Sequence, residues 1–267
     1  MHNSDTNKQR IVEEYVTEKQ YPTYYENLNN LRRRIVKDLP IKPSMHILDI
    51  GSGYAYFTIE VAKADRNLNV IGVDIAKNDV DKANKNIQNA GLQDRVKILQ
   101  MDATQLTFAE KEFNIVVNFA GLEDIHMTRG RTGVQKTFLE ASRVVISNGY
   151  FCFVVMPPEE METKAQKLEV ILYSFMCDAT WLSSKEYEQI LEQAGLTLTD
   201  MKSYYTGKKL TPQQAQCEIR FACENVPKIY GVSTKSFEEV WARFGKDIEK
   251  HGLGHYSKVV LMVAQKT

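Results

Sequence analysis

No stretch of this chain approaches the roughly 18 apolar residues of a membrane-spanning helix, and its polar opening, Met1 to Arg10, has no signal-peptide core. An excess of one charge is also lacking, since 34 Lys and Arg balance 34 Asp and Glu. Proteins that grip a nucleic-acid backbone usually carry a basic surplus, so the balance disfavours a nucleic-acid partner while leaving room for a local basic patch. The short basic run Arg32, Arg33 and Arg34 reads as a solvated face, because consecutive helical residues point in different directions. Cysteines are few, and Cys152, Cys177, Cys217 and Cys223 stand at neither zinc-site nor redox spacing. Reduced, mostly buried thiols and no metal site are expected. These absences lead to the expectation of a cytoplasmic protein without membrane contact. No internal repeat or low-complexity tract interrupts it.

What is present is enough apolar material for a sizeable core: 43% of the 267 residues are hydrophobic and 25% charged, an ordinary globular balance. Residues 10–39 read as helical and amphipathic, with Leu28, Leu31, Ile35 and Leu39 at helical spacing before Pro40. Short apolar runs closed by glycine or acid then alternate with helical periods. Strands are expected over 46–50, 70–73, 96–101, 113–119 and 150–156, with helices over 54–64, 77–90 and 131–145 between them. Regular alternation of this kind implies a parallel sheet covered on both faces, with right-handed crossovers. Beyond Pro157-Pro158 a helix is expected over 159–177. Ser183 with Glu186 forms a capping box for a helix ending at Gly195, and strands are expected over 197–205 and 258–264. Between those last strands, Thr211-Pro212 and Ser236 with Glu239 mark two helix starts. A connection that long usually serves function.

The most informative stretch is Asp49-Ile-Gly51-Ser-Gly53-Tyr54-Ala55-Tyr56, which follows one strand and opens the next helix, where open α/β sheets bind ligands. Glycine permits the sharp turn and the close approach of a ligand. A dinucleotide loop wants a third glycine where Tyr56 stands, and a phosphate-binding lysine is missing too. Asp49 would repel a pyrophosphate, whereas S-adenosylmethionine has an amino group and a sulfonium cation but no phosphate. Asp74, closing the next strand, stands where an acid can accept bonds from ribose hydroxyls. Asp102, after the third strand, can accept from an adenine amino group. Tyr54 and Tyr56 either pack as core or turn a ring toward the sulfonium.

These motifs, in this order, resemble class I S-adenosylmethionine-dependent methyltransferases of the small-molecule type. The likeness covers roughly residues 44–156 and, more loosely, 183–205. It implies an α/β, doubly wound, mostly parallel seven-stranded sheet of Rossmann-like type with helical cap elements, the last strand lying antiparallel beside the fifth. It implies that Asp49, Gly51, Gly53, Tyr54, Asp74, Ile75, Asp102, Ala103 and Asn118 surround S-adenosylmethionine and its product S-adenosylhomocysteine. Two departures are Ala55 at the family's third glycine and Asn114 in place of the acid that starts strand four. The expected organisation is cap helices in 1–40, the cofactor-binding core in 41–206, a helical lid in 207–253 and the final core strand in 254–267.

The acceptor is harder to read, because this fold fixes the donor and leaves nitrogen, oxygen, sulfur and carbon acceptors open. The chain lacks the Asn/Asp-Pro-Pro-aromatic motif of base-amino methyltransferases and the paired-glutamate loop of protein arginine methyltransferases. Both absences favour a small-molecule acceptor. His126 and Glu123 are the candidate catalytic groups, His126 as a base near neutral pH or as a hydrogen-bonded structural residue. Glu123 and Asp124 either orient a cationic acceptor or cap the following helix. Tyr21, Tyr25, Arg220 and Tyr256 are the candidate acceptor contacts. A protein or RNA substrate, a non-catalytic cofactor-binding subunit and a homodimer packed through the insertion stay open as alternatives.

Overall fold

The computed structural model describes residues 12–267. A short strand β1 (Glu14–Tyr15) and a 3-10 turn at Tyr21–Thr23 precede α1 (Asn29–Val36). The expected helical segment over 10–39 is therefore corrected to eight helical residues, and positions 10 and 11 lie outside the described residues. Upstream, Glu14 and Tyr15 pair in parallel with the distant Lys208 and Lys209 instead of joining a helix. Arg32 is a second correction: it is fully buried, its guanidinium donating to the carbonyls of Tyr25 and Glu26 at 2.7 and 3.1 Å. Its neighbours Arg33 and Arg34 are exposed, as a solvated face requires.

The core follows as β2 (His46–Ile50), α2 (Tyr56–Lys63), β3 (Asn69–Asp74), α3 (Lys77–Asn89), β4 (Val96–Gln100) and β5 (Phe113–Phe119). Then come α4 (Leu122–Val144), β6 (Val145–Val155), α5 (Lys164–Cys177), α6 (Ser184–Gln193) and β7 (Leu196–Tyr205). Helix α4 begins well before the expected residue 131. Its two halves are separated by Gly130, at φ 65° and ψ −174°, and that glycine-marked break hid the first half from periodicity. Helix α5 starts later than expected, at a capping box in which Thr163 and Gln166 exchange bonds. The box foreseen at Ser183 and Glu186 forms as expected and starts α6.

The chain continues with β8 (Lys208–Leu210), α7 (Pro212–Tyr230), α8 (Phe237–His251) and β9 (Leu253–Gly254). Strands β8 and β9 join β1 in a second, three-stranded sheet, and the chain ends with β10 (Lys258–Lys266) in the main sheet. Both helices start where their capping residues place them, at Thr211 and Ser236. The small sheet has the order β1-β8-β9 and ties the N-terminal segment to the base of the α7–α8 pair. Its own apolar cluster packs Val16, Leu210, Ile219, Phe244 and Ile248 against Leu168 and Leu172 of α5.

The main sheet is seven-stranded, in the order β4-β3-β2-β5-β6-β10-β7. All pairs are parallel except those of β10, which runs antiparallel between β6 and β7. Ile47, Leu48, Ile115, Val116 and Val117 are fully buried, so the centres of β2 and β5 are covered on both faces. Strand order reverses between β2 and β5. At such a switch point the loops leaving the carboxyl ends of neighbouring strands part to opposite faces and leave a crevice. No helix among the described residues is long and apolar enough to cross a membrane.

Candidate active site

The loop after β2 is held from below. Asn118 at the end of β5 is buried, and its Nδ2 donates to the Ile50 carbonyl at 2.6 Å. Gly51 and Gly53 have φ of 65° and 48°, and a Cβ on Gly51 would lie 3.3 Å from Asn118 Nδ2. Ala55, which stands at the family's third glycine, takes the same left-handed region at φ 64°. A side chain there costs on the order of 1 kcal/mol, which the loop carries. Asp49 lies under this loop, 1% exposed, and accepts the Thr58 hydroxyl at 2.6 Å. Burial, followed by the nearby Asp74 charge, pushes its carboxyl up to about 7.

Asp74 joins the loop to the next strand. One of its oxygens accepts the Gly53 N–H at 2.8 Å and the other the Ala76 N–H at 2.9 Å, while burial raises its pKa. Beyond β4, Asp102 accepts from Thr104 through one oxygen, and through the other from Arg129 Nε and Nη2 at 3.1 and 3.0 Å. Although partial burial opposes it, the Thr104 and Arg129 bonds together hold Asp102 below the ordinary carboxylate value.

Above these strand ends lies a cavity of about 550 Å3. Gly51, Gly53, Tyr54, Asp74, Asp102 and Ala103 line one part of it, with Ile75 beside them. Its other walls come from five segments distant in sequence. The N-terminal segment contributes Tyr21, Tyr24 and Tyr25, the start of α4 contributes Glu123 and Asp124, and α5 contributes Glu169 and Tyr173. Helix α7 closes it with Glu218, Phe221 and Tyr230, and His255 with Tyr256 completes the wall. Burial and then the neighbouring Asp124 charge raise Glu123 well above its ordinary value. Burial raises Asp124 to about 7 and Glu169 to about 8, with Asp74 and Glu13 adding repulsion to each in turn. His255 is driven the other way by burial, to about 4, and is neutral.

Four sequence candidates fall outside this lining. His126 projects away, its Nδ1 3.0 Å from the Asp178 carbonyl, because its helical position faces α5's end and not the crevice. Arg220 points off α7 and stacks its guanidinium 3.5 Å from the centre of the Phe237 ring. Asn118 and Asp49 lie beneath the glycine loop and support it through the bonds given above. The remaining candidates share the one cavity. Sequence reasoning missed Glu169, Tyr173, Trp181 and Arg129, which also line it. Only Glu169 left a trace, as an acid set between apolar Leu168 and Val170.

Comparisons with known proteins agree with this architecture. Residues 41–195 match a family model described as a methyltransferase domain. The chain is 27% identical over 250 residues to 27-O-demethylrifamycin SV methyltransferase of Amycolatopsis mediterranei, covering 91% of this chain and 85% of that protein. It is 26% identical to (+)-O-methylkolavelool synthase of Herpetosiphon aurantiacus, covering 92% and 81%. Among solved structures, geranyl diphosphate C-methyltransferase of Streptomyces coelicolor superposes with a TM-score of 0.59 at 16% identity, covering 94% and 84%. The cyclase SpnF superposes with a TM-score of 0.62 at 17% identity, covering 96% and 88%; likeness at these identities establishes the fold alone.

Proposed function

The chain belongs to the class I S-adenosylmethionine-dependent methyltransferase superfamily, and from that premise we propose that it methylates a small molecule held in the cavity above the strand ends. The observation that carries this reading is a single cavity with two different halves. One is the glycine loop with Asp74 and Asp102; the other is a wall of tyrosines and carboxyls closed by α7 and the N-terminal segment. A substrate covered from several sides suits a small molecule better than a protein or RNA, which need an open groove. The relatives' names point the same way, since rifamycin, kolavelool and menaquinone are all small molecules.

The residues present fit S-adenosylmethionine. A Cβ on Gly53 would meet nothing within 4 Å, so the loop backbone is open to a close ligand. The carboxylates of Asp74 and Asp102 stand at the ends of adjacent strands, matched to hydroxyl and amino donors. When bound, the cofactor supplies a methyl group already activated by its sulfonium. Asp74 would hold the ribose, Asp102 and Ala103 the adenine, and the Gly51–Tyr54 backbone the remaining polar end. Tyr21, Tyr25 and Tyr256 would orient the acceptor, and α7 would keep water from it. Orientation of that kind contributes several kcal/mol to the barrier reduction, on the order of 7–11 at best. Glu123 would receive a proton where the acceptor must lose one.

The test is incubation of the full chain with methyl-labelled S-adenosylmethionine and a metabolite extract, followed by mass spectrometry. Labelled methyl appearing in one small molecule, with S-adenosylhomocysteine formed in equal amount, is the expected result. Tight cofactor binding with no labelled small-molecule product would move the chain to a non-catalytic or macromolecule-directed role.

A further inference from the structure

The acceptor half of the cavity is unusual in its charge. Four carboxyl groups face it, from Glu123, Asp124, Glu169 and Glu218. The one Lys or Arg among the described lining residues is Arg129, and it is committed to Asp102 at the other half. Two of the carboxyls are incompletely satisfied. Glu169 is 4% exposed; its Oε1 accepts the Tyr256 N–H at 2.8 Å, while Oε2 is buried without a hydrogen-bond partner among the described residues. Glu123 Oε2 is buried and unpartnered in the same sense. The two feel one another, since Glu169 repulsion contributes to the raised pKa of Glu123.

An unpaired buried carboxyl is costly, by several kcal/mol if ionised, and is stable only when protonated or when a cation arrives. The rings around these two make a place for one. The Tyr25 and Tyr256 rings stand 5.5 Å apart at 47°. The Arg32 guanidinium is already 4.9 Å from the centre of the Tyr25 ring, so Tyr256 offers the freer face. Burial first, and Glu123 behind it, opposes the ionisation of both tyrosines. Aromatic faces beside carboxylates form an environment that attracts an organic cation and repels an anion.

We propose, on the basis of the methyl-transfer reading above, that the acceptor is a primary or secondary amine that enters as its ammonium ion, with Glu123 and Glu169 as counter-charges and Tyr25 and Tyr256 as walls. The same carboxyls serve the chemistry. An ammonium nitrogen has no lone pair, so one N–H proton passes to a carboxylate oxygen and leaves the N–H bonding pair on nitrogen. That pair forms the new N–CH3 bond while the S–CH3 bond breaks with its electrons going to sulfur. The product leaves as a methylated ammonium ion, the donor as the neutral thioether, and the carboxyl returns its proton to solvent. The raised acidity range of Glu169, about 8, suits a group that must take a proton from an amine and release it near neutral pH.

The test compares three phenyl ligands of nearly one shape and three charges, with n-hexylamine as a second amine. The full chain, saturated with S-adenosylhomocysteine, is titrated with 2-phenylethylamine, n-hexylamine, 2-phenylethanol and phenylacetate, followed by ligand-observed NMR. At least one amine is expected to bind about ten-fold or more tightly than the alcohol, with no binding of the acid. Glu123→Gln and Glu169→Gln should each weaken the amine about ten-fold while leaving S-adenosylhomocysteine affinity and alcohol binding unchanged. Both variants keep the shape of the side chain and remove a buried charge, so thermal unfolding should show them folded. The proposal is overturned if the alcohol or the acid binds as well as the amines, if neither amine binds to the loaded protein, or if the folded glutamine variants keep full amine affinity. Failure of S-adenosylhomocysteine itself to bind would instead remove the methyl-transfer reading beneath it.

Discussion

Asn118 Nδ2 donates to the Ile50 carbonyl across 68 residues of sequence, at 2.6 Å, and so fixes the end of β2 against the end of β5 where the glycine loop departs. Its Oδ1 also lies 3.4 Å from the Gly121 nitrogen. Asn118→Ala should therefore lower stability by roughly 1–3 kcal/mol, the cost of leaving a buried carbonyl unpaired. Affinity for S-adenosylhomocysteine should fall with it, because the loop loses its support. Denaturant unfolding and calorimetric titration of the same preparation measure both. A variant with wild-type stability and weakened binding would instead put Asn118 in direct contact with the cofactor.

The buried carboxyls set a pH dependence. Asp49 and Asp124 are raised to about 7 and Glu169 to about 8, from ordinary values of 3.8, 3.8 and 4.5. The folded chain thus holds protons that the unfolded chain has already released. Stability should be greatest near the unfolded values and fall as pH rises from about 4 through about 8, by at most roughly 4 kcal/mol for each such group. Scanning calorimetry should give a higher Tm at pH 5 than at pH 8, and Asp49→Asn should narrow that gap. A Tm that rises between pH 5 and pH 8 contradicts the assignment.

The N-terminal segment is stapled to the insertion. Glu14 N–H donates to Gly207 O and Val16 N–H to Lys209 O, each at 2.8 Å, and Gln214 of α7 donates to the Val16 carbonyl at 2.9 Å. Deleting residues 1–25 should therefore loosen residues 207–253, seen as faster cleavage there in limited proteolysis. Turnover should fall further than cofactor affinity if, as proposed, the strand-end loops would make most cofactor contacts while residues 207–253 would orient the acceptor and exclude water. Equal losses of affinity and turnover with a lowered Tm would give the segment a purely structural role.

The legible parts of the fold share one physical cause. Strands such as 46–50 and 113–119 have short apolar centres that stand out locally, and the boxes at Ser183 and Ser236 are local exchanges between residues three apart. Both signals are complete within a few residues of chain. The glycine loop, Asp74 and Asp102 were legible for the same reason. The acceptor wall was not, because it is assembled from five distant segments, and residue type alone does not give a side chain's direction. His126 and Arg220 had suitable chemistry but point away from the crevice, whereas Glu169 points in from a helix that reads as apolar packing. Arg32 shows the same limit, since nothing in a run of three arginines says which one is buried against Tyr25 and Tyr56 at 4.9 and 5.0 Å.

In the proposed function the cavity rim at Gly53 and Asp74 would hold the methyl donor. Isothermal titration of S-adenosylhomocysteine into the wild-type chain and into Asp74→Ala is the decisive experiment. One saturable site is expected in the wild type. In the variant, which should keep its helical and sheet content, binding should be weaker by roughly 2–4 kcal/mol, because Asp74 would accept charged hydrogen bonds from the ribose and also holds the Gly53 N–H. No saturable binding in the wild type, or unchanged affinity in a folded Asp74→Ala, would contradict it.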